Sequence, residues 1–160
     1  MIWRIFAITL ILLVIFPTGQ SVHAIDIVLT GIWSVNIDAG DLAAGVGSDL
    51  NPSYESPADQ VLLDILNTMG GGDNWRIDVK KSDIAWSPNI SVYTRRTSGG
   101  SGGSVSGGET YQIITNTDQS LFTGTADVSD IGMQYKIDGV SIDIDPSNYV
   151  TTIIYTVVDT

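Results

Sequence analysis

The stretch "RRTSGGSGGSVSGGETYQ", residues 95–112, decides whether the chain is one domain or two. Gly/Ser tracts of this kind serve as flexible linkers between domains, and they also form the tips of long hairpins. A linker must separate two units that each hold a core. About 50 residues follow Thr110, fewer than usually fold alone without disulfides or metal. Residues 98–108 are therefore expected to be a flexible hairpin loop inside a single domain, joining "ISVYTRR" to "TYQIIT".

The flanking segments carry strand patterns. In "WRIDVKK", Trp75, Ile77 and Val79 alternate with Arg76, Asp78 and Lys80, as an antiparallel strand with one wet face requires. "IDIVLTGIWSVNID" alternates through Ile25, Ile27 and Leu29, and Gly31 suggests a bend before Trp33, Val35 and Ile37 resume. "QVLLDIL", residues 60–66, fits either a buried strand or a short helix, and the nearby Gly70-Gly71-Gly72 turn favours strand. Further strands are read in "SLFTGTAD", in "IGMQYKIDGVSIDI" with a hairpin turn at Asp138-Gly139, and in "NYVTTIIYTVV". About nine short strands and no convincing amphipathic helix predict an all-β fold, a single immunoglobulin-like antiparallel β-sandwich. Trp33, Trp75, Trp86, Tyr135 and Tyr155 are its expected core aromatics.

The N-terminus reads as a secretory signal peptide, residues 1–24: Arg4, an apolar run over residues 5–16, then Pro17, Gly19 and a terminal Val22-His23-Ala24. The apolar run is 12 residues long, short of the ~20 that span a bilayer. No membrane insertion is expected after cleavage. Removing 24 of 160 residues leaves 136, the length of one compact domain with a real core. All 18 Asp/Glu remain against six Lys/Arg, a formal charge of −12 that repels nucleic acid and anionic lipid.

This inventory excludes several chemistries. There is no cysteine, and the single histidine, His23, leaves with the signal peptide. A thiol nucleophile, a His-based triad and a Zn site are thereby removed. Paired carboxylates are the minimal glycosidase kit, yet no acid pair stands out, so the chain is read as non-enzymatic. Asp38 with Asp41, Asp127 with Asp130, and Asp143 with Asp145 are candidate Ca²⁺ ligands, none at EF-hand spacing; Asp is also what turns use. No other cofactor is implied. Asn89-Ile90-Ser91 fits a glycosylation sequon. Arg95-Arg96 and Lys80-Lys81 are the only adjacent basic pairs; they are either solvated strand ends or docking points for an acidic patch on another copy.

"GVSIDIDPSN" followed by "NYVTTIIYTVV" resembles the end of secreted bacterial pilin-like and spore-coat-U-like β-sandwich proteins: Gly, an apolar run, Pro, Tyr, then a terminal strand. The resemblance covers about the last 25 residues, and the cysteine pair often seen in coat-U proteins is missing. It implies an extracellular or cell-surface structural subunit of a fibre, pilus or coat, with other copies or related surface subunits as partners. The assembly residues expected are Ile25, Ile27 and Leu29 on the first strand, with Arg95 and Arg96, because an unpaired edge strand templates another chain. The alternative is a monomeric binding module for a glycan or Ca²⁺.

Overall fold

The structure, a computed structural model, describes residues 24–160; the signal peptide reading, with His23, lies outside them apart from Ala24. Nine strands follow one another: β1 (Asp26–Thr30), β2 (Ser53–Glu55), β3 (Val61–Leu66), β4 (Asn74–Ala85), β5 (Ser91–Arg96), β6 (Ser101–Ser106), β7 (Gln112–Ile113), β8 (Gln119–Asp138) and β9 (Val150–Asp159). A 3₁₀ turn, Ala39–Asp41, is the only helical element among the described residues. All pairings are antiparallel, and all nine strands join one hydrogen-bonded, curled sheet. The all-β class is thus as the alternation predicts. In β3, Val61, Leu63 and Ile65 are buried and the intervening residues are not, the period of two that decides strand over helix.

β8 is the spine. Along one edge it pairs with β4 (Thr125 to Gln119), then with β3 (Val128 to Met133), then with β2 (Lys136 to Asp138). Along the other it pairs with β6 (Thr123 to Ser129) and then with β5 (Met133 to Asp138). Partners on both edges change in mid-strand, where Ala126 and Asp130 both hold φ of 59°. Left-handed residues within a strand make bulges that bend it and increase its twist. Asp tolerates that conformation better than most residues, and the Asp64 carboxylate accepts the Asp130 N–H at 2.7 Å. The Ala126 carbonyl accepts the Trp75 indole N–H at 2.8 Å. The sequence shows this region as two segments; the structure makes it one 20-residue strand bent at two points.

The bend turns β9, β4 and the first half of β8 to face β1, β3, β5 and the second half of β8. Trp75, Leu63, Ile65, Ile77, Ile131 and Met133 fill the interior. Across it, the Tyr155 hydroxyl of β9 meets Thr94 Oγ1 of β5 at 3.1 Å and the Tyr135 hydroxyl of β8 at 3.0 Å. Burial raises the pKa of both phenols, that of Tyr155 well above the ordinary 10.0, so both are neutral over the ordinary pH range. Of the five expected core aromatics, Trp75, Tyr135 and Tyr155 are buried; Trp33 and Trp86 are half-buried and lie against the core.

Three expectations fail locally. The Gly/Ser tract is not a free loop: residues 101–106 form β6, hydrogen-bonded along β8. Its glycines allow close approach, since a Cβ on Gly100, Gly102 or Gly103 would overlap the carbonyl oxygen of Ser129, Asp127 or Thr125 respectively. The strand expected after Asp138-Gly139 is absent; Gly139 (φ 92°) and Val140 donate instead to the Pro52 carbonyl, and Asp49 captures Ser141 and Ile142. Residues 31–38 likewise leave the sheet after Gly31 (φ 118°), as Trp33 turns inward to stack on Tyr135 with ring centroids 6.4 Å apart.

Candidate functional site

The pairing path runs β1-β3-β8-β4-β9, so β1 and β9 are its two ends. The ends of these strands approach one another without pairing, which leaves the curl unclosed. β1 pairs with β3 from Asp26↔Leu66 to Thr30↔Leu62 and with no other described strand. Its backbone donors and acceptors on the outer edge are therefore free to template another strand.

β1 is lightly held. Ile25 and Ile27 lean on the core and Asn67 donates to the Asp26 carboxylate at 2.7 Å. Val28 and Leu29 are each 43% exposed, and the chain that follows adds Ile32 at 83%. Of the expected assembly residues, Ile25 and Ile27 thus seat β1 on its own domain, and Leu29, on the same face by alternation, is left exposed, as is Val28 on the opposite face. β9 is the converse: Tyr155 is buried, Ile153 and Val157 pack on the core, and ten residues pair with β4.

The two adjacent arginines part company. Arg96 is buried, donates from Nη2 to the Glu109 carboxylate in an ion pair and from Nε to the Gly107 carbonyl at 2.8 Å. It anchors the return from β6 and is not available for docking, a correction to its reading as an assembly residue. Arg95, one residue earlier, lies on the outer face. There its Nε donates to Gln134 Oε1 at 2.9 Å, and its guanidinium lies 4.6 Å from the Tyr111 ring centroid. Lys136, on the neighbouring strand, lies 4.6 Å from the Tyr93 ring and 4.9 Å from that of Tyr111. Lys80 and Lys81 pair with Asp118 and Asp83.

The carboxylates read as Ca²⁺ candidates have local duties. Asp38 accepts from the Gly40 N–H and Asp41 from the Asp38 N–H, a reciprocal cap on the 3₁₀ turn. Asp127 Oδ1 accepts the Thr68 N–H and hydroxyl. The Asp130 N–H is held by Asp64. Asp143 and Asp145 sit on the exposed segment before β9, where the Asp145 carbonyl accepts the Tyr149 hydroxyl. Among the described residues no three His, Cys, Asp or Glu side chains converge as a metal site would need. Asn89 lies in an exposed turn beside Ser87.

One concavity, about 530 Å³ and widely open, lies between β6 and the loop before β4. Thr68, Gly102, Ser104, Thr125, Ala126 and Asp127 line it, mixing polar groups with the apolar surface of glycine and alanine. Comparison of the chain with family models, curated proteins and solved structures returned no significant match. The cation–tyrosine face was illegible in the sequence: Arg95, Tyr111 and Lys136 are scattered along the chain, and only the β5–β8 and β5–β7 registers make them neighbours.

Proposed function

We propose that the chain is a non-enzymatic structural subunit of an extracellular surface fibre or coat, exported by a signal peptide at residues 1–24 and assembled by strand pairing through β1. The observation that carries this reading is the outer edge of β1, which is unpaired among the described residues and bears the exposed Val28 and Leu29. Monomeric proteins rarely leave such an edge without a charge, a proline or a covering loop. β9 supplies a second free edge at the other end of the path, so β1 of one copy can add to β9 of the next in a head-to-tail contact that need not close. The facing halves of the curled sheet are in keeping with an immunoglobulin-like sandwich. A chain without His or Cys in its mature part is in keeping with a non-catalytic role.

The test is the mass distribution of residues 25–160 by light scattering on a sizing column, with and without Ca²⁺, followed by electron microscopy of any large fraction. Open-ended oligomers that vanish with Leu29→Lys are the expected result. A monomer at all concentrations would overturn the assembly reading and leave the monomeric binding module.

A further inference from the structure

The six Lys/Arg of the described residues divide sharply. Arg76, Lys80, Lys81 and Arg96 each have a carboxylate within ion-pair distance. Arg95 and Lys136 have none, in a chain with 18 Asp and Glu. Both stand on the same outer face, two strands wide. The β5–β8 register places Arg95 opposite Gln134 and Tyr93 opposite Lys136, and β2 sets Glu55 opposite Lys136 on the far side.

This arrangement is rigid and desolvated from below. Gln134 is buried, accepts from Arg95 Nε and donates from its amide to the Ser56 carbonyl at 2.7 Å, so the guanidinium is pinned at one corner. Tyr111 lies under both cations, and its hydroxyl is closed off from solvent without a well-formed hydrogen bond. Burial first and the nearby Glu55 next hold that phenol neutral; Arg95 pulls the other way. Aromatic rings hold the cations by their faces without consuming their charge, which leaves planar guanidinium donors and an ammonium facing water side by side.

We infer that this face binds a short saccharide bearing carboxylate groups, with Arg95 engaging one carboxylate as a fork and Lys136 the neighbouring polar groups. Charge complementarity selects an anionic ligand. The site's position selects a saccharide over an extended peptide. It lies on the face of strands β5 and β8, where β8 is paired on both edges along this stretch, so an incoming peptide strand finds no backbone to pair with and loses its main source of affinity. Several fixed N–H donors on a flat surface suit the closely spaced hydroxyl and carboxylate oxygens of a sugar acid. The −12 net charge of residues 25–160 disfavours long polyanions and leaves short ones. The inference stands whether or not the chain assembles.

The experiment is titration of residues 25–160 with a trimer of galacturonic acid, followed by calorimetry and by tyrosine-ring NMR signals, at low salt. A dissociation constant on the order of 1 mM is expected for a few exposed charge-assisted contacts, weakening several-fold when salt rises to 0.2 M. Arg95→Gln and Lys136→Gln should each weaken binding about fivefold or more, while Glu55→Gln, which removes a like charge at the rim, should tighten it about twofold. Unchanged melting temperatures for Lys136→Gln and Glu55→Gln keep the reading separate from unfolding. Equal binding of a neutral galactose trimer or of tri-glutamate would overturn the saccharide assignment, and so would no binding of the acidic trimer or an insensitivity to Glu55→Gln.

Discussion

β1 and β6 are both short strands laid along an inner strand with one edge unpaired, and they treat that edge in opposite ways. β1 exposes Val28 and Leu29 and rests lightly on its domain. β6 carries Gly102 and Gly103 among serines, follows Gly100 (φ 68°), and shifts register between Gly102 and Ser104. A twisted, bulged, glycine-rich edge whose one apolar side chain, Val105, is tucked against the core is a poor template for another strand; a regular one with exposed aliphatic side chains is a good one. The same edge exposure thus means closure at β6 and availability at β1. Backbone geometry and side-chain polarity, rather than pairing alone, set whether an edge is reactive.

This contrast can be broken at several points. The largest effect is expected at Gly103, where a Cβ would overlap the Thr125 carbonyl; Gly103→Val should cost about 3 kcal/mol, at the upper end of overpacking. A denaturant midpoint unchanged by that substitution would show that β6 is the loose loop its composition suggests. Next, Tyr155→Phe removes the hydroxyl joining β9 to β5 and β8 and should cost about 1–2 kcal/mol in chemical unfolding. Because the folded phenol pKa values lie above the unfolded 10.0, their contribution is complete below pH 10 and is lost as pH rises beyond it. A wild-type melting temperature flat through pH 11, other factors equal, would contradict this.

A smaller change is expected at β1. Leu29→Lys should alter stability by less than about 0.5 kcal/mol, as exposed substitutions do, while abolishing large species in light scattering. A large loss of stability would instead make β1 an ordinary core strand. The least effect concerns Asp49, whose carboxylate pKa is lowered by the Ile142 and Leu50 N–H groups and by Ser141. Its hold on residues 141–142 is present above pH 3.8 and lost as pH falls through the lowered value. The protection of the Ile142 amide against hydrogen exchange, relative to its intrinsic rate at each pH, should fall as pH drops through that lowered value, with the β-sheet amides keeping theirs.

Clean alternation made β4 legible, because a buried face imposes a period of two on the side chains, while β3, with Leu62 and Leu63 adjacent, fitted a helix as well. The β6 strand was not, since its identity rests on β8's bulges, and glycine carries no pattern of its own. The unity of β8 was hidden for the same reason, as Ala126 and Asp130 interrupt the alternation where the strand bends. Residues 140–144 alternate as a strand does, yet Asp49 and Pro52 offer their backbone partners elsewhere. For the sites, the place of Leu29 on the first strand and the adjacency of Arg95 to Arg96 were visible, but alternation on β5 sends one arginine out and the other into the interior.

The position of β8 in the chain has a kinetic consequence. β2, β3, β4, β5 and β6 all precede it and all take their hydrogen bonds from it. Only the β1–β3 and β5–β7 pairs can form earlier, and two-stranded pairs are marginal in water. Folding therefore waits until residues 119–138 have been synthesised, and then proceeds through non-local pairing, on the millisecond-to-second scale typical of such topologies. Until that last quarter has been synthesised, the preceding strands have only these marginal pairs to form.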